Sequence, residues 1–393
     1  MSDAPFTEAL MTRLHAVLGP QDGFVALHEP EFAGGEWDMV RDCLDTGWVS
    51  SVGKYVDRFE ADIAAICGTR HGVAVVNGTA ALQVALMVCG VEPGDEVLMP
   101  SLSFAATAHA ALHLGAVPHF VEIARDTLGI DAEALAAHLG AVSEIRDGAL
   151  VNRMTGRRIS AVVPMHCFGT PVDMDGLDAV ARTFGLTIVE DAAESLGSTY
   201  RGRPCGSFGT AAALSFNGNK ILTTGGGGAI VTDDADIARR AKHLTTTAKK
   251  PHRWAFEHDA PGFNYRMPNL NAALGCAQLE QLPDRLARKR RLAARYAAVF
   301  ADFDGAAILP APAGSDPNFW LNTLVLAPDR AHLRDDLLDT LNDAGIMTRP
   351  VWTPLHRLPY LADAPRAALD VTNEMAARVI SLPSSAKLAD TLN

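Results

Sequence analysis

The sequence predicts an α/β fold, a mostly parallel sheet flanked by helices, followed by a smaller C-terminal α+β domain. Three observations carry that expectation. From residue 55 to about 235, short apolar runs alternate with helical patches and Gly turns, the rhythm of strands buried on both faces. Those runs are about four to eight residues long, strand length rather than helix length. Past residue 303 the Pro- and Gly-rich stretch FDGAAILPAPAGSDPN breaks the rhythm.

The elements follow in order. GVAVV (72–76) reads as a strand and GTAALQVALMVCG (78–90) as a helix. EVLMP (96–100) is strand-like and leads into helical FAATAHAALHLG, then AVPHFVEI (116–123). ISAVVPM (159–165), the helix DMDGLDAVARTFG (173–185) and LTIVEDAA (186–193) continue the alternation. The segment from Thr245 to Met267 holds two Pro, two Lys and several aromatics with few periodic apolar residues. It predicts a long irregular excursion, which in a compact domain is usually functional or packed on a partner. Residues 268–301 are helical throughout, and FWLNTLVL followed by RDDLLDTLNDAG reads as strand and helix. The expected division is residues 1–304 as an N-terminal segment and large domain, and 305–393 as the small domain.

Composition narrows the classes of function. With 393 residues and 48% hydrophobic content the chain buries a large core. Thirty-four Lys+Arg against 46 Asp+Glu give a net charge of -12, which argues against nucleic-acid binding driven by phosphate neutralisation. Six Cys are scattered without a C-x-x-C pair or a His at zinc-ligand spacing, so reduced thiols and no metal site are expected. The most apolar stretch, Val73 to Val91, is interrupted by Asn77, Gly78, Thr79 and Gln83 and makes a poor membrane span. The N-terminus lacks a signal-peptide pattern. The expectation is a cytoplasmic enzyme that does not engage a membrane.

Three segments carry candidate chemistry. In LTIVEDAAESLG (186–197) an apolar strand ends in Asp191, where parallel sheets place ligands. A carboxylate there can pair with a buried cation such as the protonated ring nitrogen of pyridoxal phosphate (PLP). Asp191 and Glu194 also have capping-box spacing, and the segment alone leaves both readings open. In ALSFNGNKILTTGGGGAIV (213–231), Lys220 precedes four consecutive glycines. It is either a solvated surface charge or a Schiff-base lysine, with Ser215 near a cofactor phosphate. The glycines suit a turn where backbone approaches a ligand closely, and no P-loop pattern is present. In VNGTAALQVAL (76–86), Gly78, Thr79 and Ala80 open a helix whose free N–H groups and dipole favour a phosphate. An ordinary N-cap at Asn77 or Thr79 fits equally. Phe104, at a loop–helix junction, is either core or a ring-stacking aromatic. Each piece is weak alone; their conjunction on successive βα units of one sheet is specific.

The chain resembles the DegT/DnrJ/StrS family of sugar aminotransferases from about residue 25 to 385. The stretches that carry the resemblance are TGWVSSVGKYVDRFE (46–60), VNGTAALQVAL, PSLSFAATAHAALHLGAVPHFVEI, PMHCFGTPVDMDGL (164–177), VEDAAESLGSTYRG, SFNGNKILTTGGGGAI and GFNYRMPNLNAALGCAQLEQL (262–282). The resemblance implies the aspartate aminotransferase-like PLP fold type I, PLP as cofactor, L-glutamate as amino donor and a homodimer with shared active sites. It makes Lys220 the Schiff-base lysine and proton shuttle, Asp191 the partner of the pyridine nitrogen and Phe104 the aromatic on the ring. Gly78 then belongs to the phosphate turn, with Thr79, Ala80 and Ser215 as phosphate contacts. Asn264 reaches the phosphate from the neighbouring subunit, and Glu194 lies near the cofactor hydroxyl. His166, in the strand-end segment PMHCFG, is open between a functional and a structural role. HEPEF (28–32), NFWLN (318–322) and TRPVWTPLH (348–356) resemble the branch acting at C4 of UDP-4-keto-6-deoxy-N-acetylglucosamine. Trp320 and Phe168 depart from the His or Tyr common in relatives. The alternatives are amination at C3, or of a dTDP- or GDP-sugar, and more remotely a non-catalytic PLP-binding regulator. A PLP-dependent sugar dehydratase would lack the lysine that this chain has at 220.

Overall fold

The computed structural model describes residues 3–19 and 23–390. Its central sheet has seven strands in the order His71–Val75, Gly228–Thr232, Ala211–Ser215, Thr187–Asp191, Ile159–Val162, Glu96–Pro100 and Val117–Val121. The last five run parallel. Gly228–Thr232 runs antiparallel to both of its neighbours. The fold is the expected α/β, PLP fold type I architecture.

Both faces of the sheet are covered, and the period-two alternation of strand side chains shows how. Val73 and Val75 join one apolar cluster with the helices Gly78–Val88, Ala105–Leu112 and Ala235–Thr245, while Ala74 faces the opposite cluster. That opposite cluster draws on the helices Lys54–Ile66 and Asn269–Glu280. Ala211 and Ala213 point one way, Ala212 and Leu214 the other. Helix ends follow local chemistry. Met174–Phe184 begins where the Asp173 carboxylate accepts from the Gly176 N–H and stops at Gly185 with φ of 69°, a left-handed residue that costs glycine nothing.

A four-stranded antiparallel sheet forms the C-terminal part, in the order Ala306–Ile308, Asn322–Leu326, Val379–Leu382 and Arg349–Pro350. The helix Asp3–Leu18 packs Phe6, Leu10 and Leu14 into the same core as Leu324, Leu337 and Ile380. Residues 246–268 form no helix or extended strand, only isolated bridges such as Thr246 to Asn264 and Val75 to Arg266. The excursion is pinned at its end, where the buried Arg266 guanidinium donates to Glu60 at 2.6 Å and to the Ala74 carbonyl at 2.8 Å. Among the described residues, no helix is long and apolar enough to cross a membrane.

Candidate active site

At the carboxyl edge of the parallel strands lies a cavity of about 280 Å³, where such sheets bind ligands. Asp191 and Ser215 are the last residues of adjacent strands. Gly78 and Thr79 follow the strand His71–Val75, and Phe104 follows Glu96–Pro100. All of these, with Glu194 and Lys220, line the one cavity. The structure therefore brings together seven residues singled out in sequence. Ala80 sits one residue further into the helix, its N–H given to Asn77 Oδ1 at 2.8 Å. Asn264 is exposed and does not line this cavity within the chain.

The capping-box reading of Asp191 fails, because no helix follows it. Its Oδ2 accepts the Thr107 hydroxyl at 2.7 Å, its Oδ1 takes only a 3.3 Å contact from the Ala193 N–H, and Ser103 Oγ lies 2.6 Å from Thr107 Oγ1. Asp191 is 7% exposed, and among the described residues no cation pairs with it. Burial pushes its carboxyl above the usual 3.8, more than Thr107, Ala193 and the nearby Lys220 pull it down. A buried carboxylate held open in this way is suited to a cationic ring nitrogen.

Lys220 is not a solvated charge. Its Nζ pairs with Glu194 Oε1 at 2.9 Å and lies 3.9 Å from the Trp320 ring centroid. Glu194 does not fold back to cap Asp191; its Oε2 accepts the Phe168 N–H at 2.9 Å. Burial pushes the Glu194 carboxyl above its usual 4.5 against the pull of Lys220 and the Phe168 amide. Trp320 is itself fixed, its indole N–H donating to the Asn219 carbonyl at 2.7 Å. The lysine is thus an amine held between a carboxylate and an aromatic face, facing the same space as Asp191.

The cradle is built by close packing. Asn77 is a true N-cap, so the cap reading there holds, yet the first N–H groups of the helix stay free of intrahelical partners. Among the described residues the Thr79 and Ser215 hydroxyls also have no hydrogen-bond partner. A Cβ on Gly78 would stand 2.7 Å from Ser215 Cβ, and one on Gly228 would stand 2.5 Å from the Asn77 carbonyl. The glycine run 225–228 does not line the cavity; what approaches Gly228 is the Asn77–Gly78 backbone rather than a ligand. Free amides at a helix start with two hydroxyls fit a phosphate.

His166 lies behind the cavity, fully buried. Its Nε2 is 3.0 Å from Glu190 Oε2, and its Nδ1 accepts the Val172 N–H at 3.2 Å. Burial opposes a charged ring, but Cys205 and Glu190 outweigh it and push the imidazole up to about 10, while the Val172 N–H, aimed at Nδ1, favours the neutral ring. Glu190 also accepts the N–H groups of Gly206, Phe208 and Gly209. Burial raises its carboxyl, but His166 and these amides outweigh burial and hold it below 4.5. This is a structural clamp beside Asp191. The cavity also contains residues that sequence reasoning missed, Asn77, Met165, Asn217, Asn219 and Trp352. Each stands in a stretch that carries the resemblance, VNGTAALQVAL, PMHCFGTPVDMDGL, SFNGNK or TRPVWTPLH, but its place in the cavity was not readable from it.

A lysine in the loop after strand Ala211–Ser215, a buried carboxylate in the same cavity and an anion cradle on one sheet are the groups that a PLP enzyme of the transaminase class uses. The comparisons agree. The DegT/DnrJ/EryC1/StrS aminotransferase family profile matches residues 31–392. The chain is 36% identical over 367 residues to GDP-perosamine synthase of Caulobacter vibrioides, covering 93% of this chain and 94% of that one. It is 34% identical to GDP-perosamine synthase of Vibrio cholerae, covering 93% and 95%. The solved structure of DesI in the presence of its TDP-sugar product superposes with a TM-score of 0.82 at 32% identity, covering 97% of this chain and 96% of that one. The chain belongs to the DegT/DnrJ/EryC1/StrS aminotransferase family, and is a PLP-dependent sugar aminotransferase.

Proposed function

We propose that the protein moves an amino group from L-glutamate to C4 of a nucleotide-linked 4-keto-6-deoxy sugar. The observation that carries this reading is Lys220 and Asp191 lining one cavity with the Gly78–Thr79–Ser215 cradle. The sequence reading put a UDP-linked acetamido sugar first. Two GDP-perosamine synthases at 36% and 34% identity shift the weight to its GDP-linked alternative.

Gly78, Thr79 and Ser215 would hold the cofactor phosphate, Phe104 its ring face and Asp191 its ring nitrogen. PLP supplies an electrophilic aldehyde and a ring that stores an electron pair. Asp191, supported by the hydroxyl chain Ser103–Thr107, keeps the ring-nitrogen proton in place. The Lys220 amine would take a proton from the donor carbon and give one to the acceptor carbon. Glu194 steadies that amine and accepts its charge when it is protonated. Trp320 closes the other side of the lysine and excludes water.

A homodimer fits the surface. Trp37, Trp48, Val52, Trp254 and Phe256 are exposed apolar residues that a second copy would cover, and Asn264 stands exposed on the same excursion as Trp254. Incubating the holoenzyme with ¹⁵N-glutamate and 4-keto-6-deoxy sugars carried on GDP, UDP or dTDP tests the reading. Label at C4 of the GDP-sugar is expected; label at C3, or none with any sugar, overturns it.

A further inference from the structure

The cavity has an aromatic wall that the donor reaction does not need. Trp352 lies 5.0 Å from the Phe168 ring and 6.3 Å from Phe104, and Phe168 lies 6.2 Å from Trp320. Phe168 and Trp320 are buried and Trp320 spends its N–H on Asn219. Trp352 differs on both counts. It is only half-buried, and among the described residues its indole N–H has no hydrogen-bond partner. It is nevertheless held firmly. Val351 and Leu355 beside it are buried, the Leu355 N–H donates to the Ser101 carbonyl at 2.8 Å and His356 Nδ1 lies 2.7 Å from Ser101 Oγ. Ser101 follows the strand Glu96–Pro100, so the C-terminal part of the chain presents this ring to the large sheet's ligand edge.

We infer that Trp352 is the platform for the keto sugar, its ring face against the C–H face of the pyranose and its N–H free to donate to a sugar oxygen. This rests on the proposed sugar reading. The negative π face attracts C–H groups and repels carboxylates, so a dicarboxylate donor gains nothing from it, whereas a 6-deoxy sugar offers an apolar face and a methyl group. An open donor on an apolar wall matches the usual make-up of small-ligand sites. Among the described residues Lys220 is the one cation lining the cavity, against Asp191 and Glu194, so apolar contact and hydrogen bonding must position the sugar there.

The two half-reactions separate the roles. Holoenzyme carrying Trp352→Ala or Trp352→Phe is followed by stopped-flow absorbance, first with glutamate alone, then with the GDP-linked keto sugar after conversion to the amine form. Expected are an unchanged glutamate half-reaction and, for Trp352→Ala, a loss of about tenfold or more in kcat/KM for the sugar, mainly through KM. Trp352→Phe should keep most of the affinity. Equal losses in both half-reactions, or no loss in the sugar step, overturn the inference. A wild-type enzyme that reacts with glutamate but never with a keto sugar instead overturns the function reading, a distinct result. Thermal midpoints of the variants guard against misfolding.

Discussion

Asp191 lends itself to a two-sided experiment. In the cofactor-free protein its carboxylate is buried, is raised above 3.8 by burial, and has Thr107 at 2.7 Å as its one short contact. Asp191→Asn keeps the shape and removes an uncompensated charge. Relieving that desolvation is worth about 1–3 kcal/mol, so the apo variant should be more stable than wild type at pH 7. The linkage has a definite sign: a carboxyl raised on folding favours the native state below its unfolded value and loses that contribution as pH rises. Wild-type apo stability should therefore decline above pH 3.8 through the raised value, and the variant should lose that part of the slope. In the holoenzyme the effect reverses. An ion pair at hydrogen-bond distance in a medium of effective dielectric about 20 is worth roughly 5 kcal/mol before desolvation, so kcat should fall by about 10³-fold. Urea unfolding of both apo proteins and steady-state turnover of both holoenzymes give the two numbers. A less stable apo variant, or one with near-wild-type turnover, refutes the reasoning.

Further outcomes follow from single contacts. Lys220→Ala should abolish turnover and the visible absorbance change on PLP loading; activity in that variant would remove the lysine from the chemistry. Gly78→Ala places a methyl group 2.7 Å from Ser215 Cβ, and should weaken PLP binding about tenfold or more and cost the apo form about 1–3 kcal/mol, read by PLP titration and urea unfolding. Far from the cavity, His119 bridges Glu96 at 2.7 Å and His138 at 2.8 Å, and burial first, then His119, drops the His138 imidazole from 6.5 to about 4. The folded state thus favours neutral His138, and stability should be lost as pH falls from 6.5 towards 4. A cost of about 1–2 kcal/mol is expected after solvent screening, absent in His138→Ala by pH-dependent urea unfolding.

The strands and the helix at Gly78 were legible because each rests on a local signal, whereas the convergence of Asp191 with Lys220 was legible only from the conjunction of segments and the family resemblance. An apolar run ending in an acid and a glycine turn next to a lysine are readable within about 20 residues. The partner of Lys220 was not. Glu194 has capping spacing from Asp191, and only the chain's return from strand Ala211–Ser215 brings the lysine to it. Trp320 and Trp352 stood in the motifs NFWLN and TRPVWTPLH, but their place in the cavity was hidden for a stronger reason. They belong to the C-terminal part of the chain and reach the cavity only by tertiary packing, which no periodicity encodes. The antiparallel run of Gly228–Thr232 was equally invisible, since an apolar five-residue run carries no direction. The helix Asp3–Leu18 was not assigned to the C-terminal core because an amphipathic helix does not announce which core it joins.

That antiparallel strand governs the order in which the molecule can be assembled. Among the described residues, His71–Val75 finds its sheet neighbour in Gly228–Thr232, and Gly228 is also what the Asn77–Gly78 backbone rests against. Until the ribosome has released residue 232, the first strand of the sheet has no neighbour in the sheet and the anion-holding turn after it has no floor. Such long-range closure is slow to form. The cradle is therefore complete only once more than half of the polypeptide has been made.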